Sequence, residues 1–98
     1  MQFKIIAKHM DVTDAIKDYA EKKTAKLPKY YDSVGEVEFI IDGSGAGISV
    51  EIIARDNHMS TYVAQQSGPD AYACIDAVVG KLEAQLTKKK TQERDNKR

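Results

Sequence analysis

The residues in this chain with chemistry to offer are lysines, and their spacing gathers them into two groups. Lys22, Lys23, Lys26 and Lys29 fall close together, and Lys81, Lys88, Lys89 and Lys90 form a second set near the end. An ammonium on a flexible stem is a compact charge that suits phosphate oxygens and reads no base sequence. The formal net charge is zero, which by itself would hide such a role. The charge is nevertheless sorted along the chain. Residues 13–30 hold five Lys against three acids, residues 70–98 hold seven Lys and Arg against five, and the remainder holds three against seven. Segregation of sign builds a field that draws an anion to one surface and repels it from another. The competing reading is that these lysines keep the surface soluble and complement helix C-termini.

Other chemistry finds little support in the residues. GSGAG (43–47) looks like part of a nucleotide loop, but it joins two strand patterns and opens no helix, so a hairpin connection is expected. His9 and His58 lack the paired spacing of metal ligands and fall in loops. No nucleophile elbow or phosphate loop is present, so catalysis, cofactors and metals are not expected. Cys74 is the single cysteine and sits in an apolar helical pattern, which reads as a buried, inert thiol in a reducing compartment. Tyr30, Tyr31, Tyr62 and Tyr72 are aromatics that could stack on bases, and Tyr62 is expected on an exposed sheet face.

The elements that must position the lysines follow from periodicity. Ninety-eight residues, 42% hydrophobic and 31% charged, fit one globular domain. No apolar run approaches the roughly 20 residues of a membrane span, and MQFKIIAKHM is too short and too charged for a signal peptide. A cytoplasmic protein is expected. Residues 2–8 alternate Phe3, Ile5 and Ala7 with polar neighbours, as a half-buried strand does. Thr13 and Asp14 then open a helix whose apolar face is Val12, Ile16, Tyr19, Ala20 and Leu27, closed near Pro28. Strands follow at 34–42, with Glu36, Glu38 and Asp42 on its outer side, from 48, and near 59–64. Ser67-Gly68-Pro69-Asp70 starts a second helix of about five turns, marked by Ala71, Ile75, Val78, Val79, Leu82 and Leu86.

The resulting order is β-α-β-β-β-α, an α+β fold. One apolar side per strand and one stripe per helix are buried together when both helices pack on one face of a four-stranded sheet. A single domain is expected over residues 1–91, with a polar, disordered tail over 92–98. Lys22, Lys26 and Lys29 fall within about 60° of one another on a helical wheel, away from the apolar side. Lys23 lies at the edge of that side and must extend its stem to keep its ammonium wet. Lys81 and Lys88 share a line interrupted by Ala84, while Lys89 and Lys90 lie past the last core position. The two stripes are expected to converge into one positive ridge.

With these residues in view, the chain resembles the short ribosome hibernation promoting factors, the family that includes the ribosome-associated inhibitor protein Y. The resemblance runs co-linearly from MQFKI through VTDAIKDYAEKKTAKLPKYYD to DAYACIDAVVGKLEAQLTKKK, over about residues 1–91. It implies a β-α-β-β-β-α domain whose basic helices bind rRNA in the decoding channel of the small ribosomal subunit. There the domain would cover sites used by mRNA and tRNA and inhibit translation. It also implies Lys23, Lys26, Lys81, Lys88 and Lys90 as basic positions of the family pattern, with Lys17 where Arg is common. Lys22, Lys29 and Lys89 add charge where relatives vary. Ala84 stands where relatives often carry Arg, with Glu83 beside it. The long form's dimerisation domain has no counterpart here, so the chain is expected to be monomeric off the ribosome, and pairing of ribosomes would need a separate factor.

Two rival readings belong to other classes. A double-stranded-RNA-binding module would need a basic cluster between strands, where this chain has DGSGAG without Lys or Arg. A protein–protein adaptor would use the outer sheet face, where Ile40, Ile53 and Tyr62 are expected.

Overall fold

The computed structural model describes residues 2–27, 34–57 and 59–95, with side chains described as far as residue 88. The elements are β1 (Gln2–Lys8), α1 (Asp14–Thr24), β2 (Val34–Asp42), β3 (Ile48–Asp56), β4 (Thr61–Gly68) and α2 (Ala71–Asp95). The sheet order is β1-β2-β3-β4, with β1 parallel to β2 and the other neighbours antiparallel. A parallel pair needs a crossover, and α1 supplies it. The remaining strands form a meander, as their short connections require.

One sheet face carries the core. Val37, Phe39 and Ile41 of β2 lie beside Val50, Ile52 and Ala54 of β3, all fully buried. Ile16, Ala20 and Leu27 from α1 and its exit close over them, together with Ala71, Cys74, Ile75, Val78, Val79, Leu82 and Leu86 of α2. Both helices therefore cover the same face. Burying a side chain such as Leu82 or Ile75 stabilises the fold by about 1.5–3 kcal/mol, so α2 with seven buried residues is held firmly at one position on the sheet.

The helix ends are set locally. Thr13 caps α1, its Oγ1 accepting the Ile16 amide at 3.2 Å. Asp70 does the same for α2, its Oδ1 accepting the Tyr72 amide at 3.0 Å. α2 continues for 25 residues to Asp95, about seven turns where about five were expected. Lys, Gln, Glu and Arg follow Leu86, and these propagate a helix without a core beneath them. The helix thus enters the segment expected as the tail, while residues 96–98 lie outside the described ones.

The opposite face mixes paired charges with the apolar side chains of Ile6, Ile40, Ile53 and Val63. Register places Lys4 beside Glu38 and Gln2 beside Glu36, and Arg55 of β3 pairs with both Glu36 and Glu38. Glu36, Glu38 and Glu51 share this face as expected. Tyr62 does not. It stands opposite Ala54 and is therefore on the helix side, partly buried against the core. The alternation along β4 is set by Ala64 pointing inward against Ile52, which brings Tyr62 inward and Val63 outward.

Tyr62 has a polar duty at that position. Its hydroxyl donates to Asp56 Oδ2 at 3.2 Å, while Asp56 Oδ1 accepts the Ser60 amide at 2.8 Å. Asp56 is only 8% exposed, and its backbone accepts the Met59 amide and donates to Ser60. This one carboxylate organises the β3–β4 turn, where Met59 holds a left-handed φ of 69°. Replacing Asp56 by Ala takes the acceptor from the part-buried Ser60 amide and Tyr62 hydroxyl and is expected to lower the unfolding free energy by about 1–3 kcal/mol. Urea denaturation of Asp56→Ala measures this, and an unchanged midpoint would contradict the assignment.

Candidate nucleic-acid interface

α1 and α2 run side by side over the sheet, and a groove between them is lined by Lys23, Lys26, Asp76, Val79, Gly80 and Glu83. The residues that set this seam are aromatic and charged. Tyr19 donates to Asp76 Oδ1 at 2.6 Å, and Lys23 Nζ lies 3.4 Å from the same oxygen. The ammonium also sits over the Tyr19 ring, 5.4 Å from its centroid, and Tyr72 packs edge-on against that ring at 5.1 Å. Lys23 thus extends its stem outward as its edge position requires, but it ends on a carboxylate. The hydrogen bond to Asp76 is the main reason both the Tyr19 phenol and the Lys23 ammonium hold their protons above their ordinary ranges.

The other lysines divide between two flanks. α1 stops at Thr24, short of the expected close near Pro28. Lys22 in its last turn and Lys26 in the turn just past its end are exposed and form no ion pair among the described residues, and the same holds for Lys88 on α2. Lys81 faces the other way. Its Nζ donates to the Gln65 carbonyl at 2.7 Å and to Gln66 Oε1 at 2.9 Å, both on β4. Five residues separate Asp76 from Lys81, which puts them about 140° apart around α2. Lys29 lies outside the described residues, and of Lys89 and Lys90 only the helical backbone is described.

The expected continuous ridge is therefore replaced by two basic flanks. Asp76 and Glu83 stand in the groove beside Lys23 and Lys26, and the small exposed residues Gly80 and Ala84 separate that seam from the Lys81 and Lys88 side. The wheel carried the first stripe past Thr24, where α1 ends, so Lys26 stands beyond the helix. What it lacked was which flank of α2 meets α1, and that is fixed by the seven core residues beneath the helix.

GSGAG and Cys74 sit where the residues suggested, and one contact is added to them. GSGAG joins β2 to β3, and its cleft is lined by Ser44, Ser49, Ser67 and neighbours with no cation among them. Gly47 is needed for closeness: a Cβ there would lie 2.8 Å from the Gly68 carbonyl oxygen. Cys74 is buried, and burial, then the nearby Asp70 charge, pushes its thiol pKa up. Among the described residues no cluster of His, Cys, Asp and Glu could hold a metal, and no helix is long and apolar enough to cross a membrane. Tyr30, Tyr31 and His58 lie outside the described residues. The addition is His9, whose Nδ1 lies 3.0 Å from Asp42 Oδ1. The Ser44 amide and then His9 hold the Asp42 carboxyl below its usual range. Nothing in local spacing joins positions 33 apart; the parallel β1–β2 register does.

Comparisons with known proteins agree with this architecture. The family model for sigma 54 modulation protein / S30EA ribosomal protein matches residues 3–94. The ribosome hibernation promoting factor of Escherichia coli K12 is 30% identical over 96 residues, covering 92% of this chain and 94% of that protein. Among solved structures, the N-terminal domain of Thermus thermophilus protein Y superposes with a TM-score of 0.80 at 31% identity, over 90% of this chain and 98% of that one. A ribosomal subunit interface protein from Coxiella burnetii gives a TM-score of 0.85 at 25% identity, over 93% and 99%.

The interhelical seam makes a signed prediction about alkaline pH. Tyr19 and Lys23 both have raised values in the folded chain, so their contribution to stability is fully present at neutral pH. It is lost as pH rises through those values, above about pH 10. Asp76→Asn should return Tyr19 ionisation toward its ordinary value and flatten the alkaline loss of stability. Ultraviolet titration of the phenolates, with Tyr19→Phe identifying the transition, checks this. A Tyr19 transition that does not move in Asp76→Asn would contradict it.

Proposed function

The chain belongs to the sigma 54 modulation protein / S30EA ribosomal protein family, and from that premise we propose that it is a ribosome hibernation factor of the cytoplasm. In this reading it binds the small ribosomal subunit at the decoding channel through the solvent side of its two helices. The folded body then occupies space that mRNA and tRNA need, and translation stops without any covalent chemistry. The role is non-enzymatic: binding and exclusion are the whole of it.

The observation that carries the reading is that Lys22, Lys26 and Lys88 project from the helical layer with no ion pair among the described residues. Cations left without acid partners keep their full charge for phosphate. Lys23 is different, because Asp76 already neutralises it; its charge becomes available only if rRNA phosphate competes with that carboxylate. Lys81 must likewise leave two acceptors on β4 before it can meet a phosphate. The placement of Glu36, Glu38 and Glu51 on the outer sheet face supports one orientation, with the helices toward rRNA and these acids away from it. Lys29, Lys89 and Lys90 extend the same set by sequence.

Electrostatics supplies the affinity in this account, so salt is the test. With about 5–8 phosphates neutralised, log K should fall against log salt with a slope of about −3.5 to −7. The triple substitution Lys22→Ala, Lys26→Ala and Lys88→Ala should make the slope shallower by about 2–3 while leaving the fold intact. Co-sedimentation with purified small subunits across a salt series reads both. Salt-insensitive binding, or a triple variant with the parent slope, would overturn the assigned surface.

A further inference from the structure

The two edges of the sheet are protected by different means, and the difference points to a surface that binding to RNA does not explain. β1 and β4 are the end strands. An edge strand exposes unpaired N–H and C=O groups and invites another strand, so edges are usually blunted by charge, proline or a covering element. β1, with sequence QFKIIAK, carries Lys4 and Lys8. β4, with sequence TYVAQQSG, carries neither a charged residue nor a proline over its 8 residues. An uncharged, proline-free strand with β-favouring residues such as Thr61, Tyr62 and Val63 is the kind that pairs with its own copy.

α2 supplies what β4 lacks. Lys81 Nζ donates to the Gln65 carbonyl at 2.7 Å, and one turn later Gln85 Nε2 donates to the Val63 carbonyl at 2.9 Å. Residues 63 and 65 alternate by two along the strand, so both carbonyls point toward the same free side. Two side chains spaced i, i+4 on one helix thus match two acceptors spaced i, i+2 on one strand edge. Gln66 steadies the arrangement by accepting a second bond from Lys81 at 2.9 Å.

We propose that the open edge of β4 is a strand-pairing surface for a second copy of this chain, held closed by Lys81 and Gln85. Two β4 strands related by a two-fold axis would pair antiparallel, each giving the other the same pattern of donors and acceptors, which is the self-complementary contact that a symmetric dimer requires. Such pairing is opposed while Lys81 and Gln85 engage both carbonyls on each copy from α2. Lys81 therefore has work to do in the RNA-free molecule, independent of any phosphate contact.

Gln85 separates this role from phosphate binding, since replacing it alters no charge. Analytical ultracentrifugation at micromolar concentration should show the parent chain as a monomer. Lys81→Ala with Gln85→Ala should self-associate with a dimerisation constant at least about tenfold tighter, because hydrogen bonds on both copies no longer oppose pairing. Hydrogen exchange should show the amides of Val63 and Gln65 becoming protected on association. Adding Val63→Lys, at an exposed position on β4, should return the double variant to a monomer. If alanine weakens the helix, Lys81→Met with Gln85→Met deletes only the donors and gives the same reading. A folded double variant that stays monomeric overturns the proposal, as does association that Val63→Lys leaves unchanged. A purely RNA-contacting Lys81 would instead show a shallower salt slope with no change in mass.

Discussion

The packing of α2 against the apolar face of β3 and β4 is the constraint on which the other features depend. Its buried residues, from Ala71 to Leu86, leave the helix one rotation and one position on the sheet. That rotation decides everything the helix presents outward. Asp76 and Glu83 are turned toward α1, Lys81 and Gln85 toward the free edge of β4, and Lys88 toward solvent beyond the last core residue. A change in the register of this one helix would move the acidic seam, the edge caps and the basic flank together. Stability and function are coupled here through geometry, without any shared residue.

The two flanks of α2 use the same residue type for different ends. On the α1 side, Lys23 is held by Asp76 and by the Tyr19 ring, a contact that ties the helices to each other. On the β4 side, Lys81 satisfies a strand carbonyl. Lys23 is in an exposed ion pair and Lys81 donates to neutral acceptors at the surface, so neither lysine is a large source of stability. Their importance lies in specificity: one fixes the approach of two helices, the other discourages a wrong partner strand. Only the lysines without such engagements are immediately available to a polyanion.

Much of this was legible in the residues, and the limits of that reading have physical causes. The strand alternation in 2–8 and 34–42 and the helical apolar stripes gave the element order and the shared helix face, because burial imposes period 2 and period 3.6 directly on sequence. The acidic outer face was legible for the same reason. Tyr62 was misread because β4 mixes small and large residues on both sides, and only pairing with Ala54 and Ile52 settles its direction. The buried Asp56 and the caps from Lys81 and Gln85 were missed, since each depends on a carbonyl or amide whose direction no side-chain pattern encodes. The single ridge failed at the level of packing: α1 ends at Thr24, short of Lys26, and the rotation of one helix against the other lay outside either wheel.

The central claim is that the solvent side of the helical layer, and not the outer sheet face, meets rRNA on the small subunit. A cryo-electron microscopy reconstruction of the chain bound to small subunits tests it most directly. The account predicts density for the domain in the decoding channel with Lys22, Lys26 and Lys88 within reach of rRNA phosphates and Glu36, Glu38 and Glu51 facing away. A complex in which the outer sheet face lies against rRNA, or in which the domain sits away from the decoding channel, would contradict it.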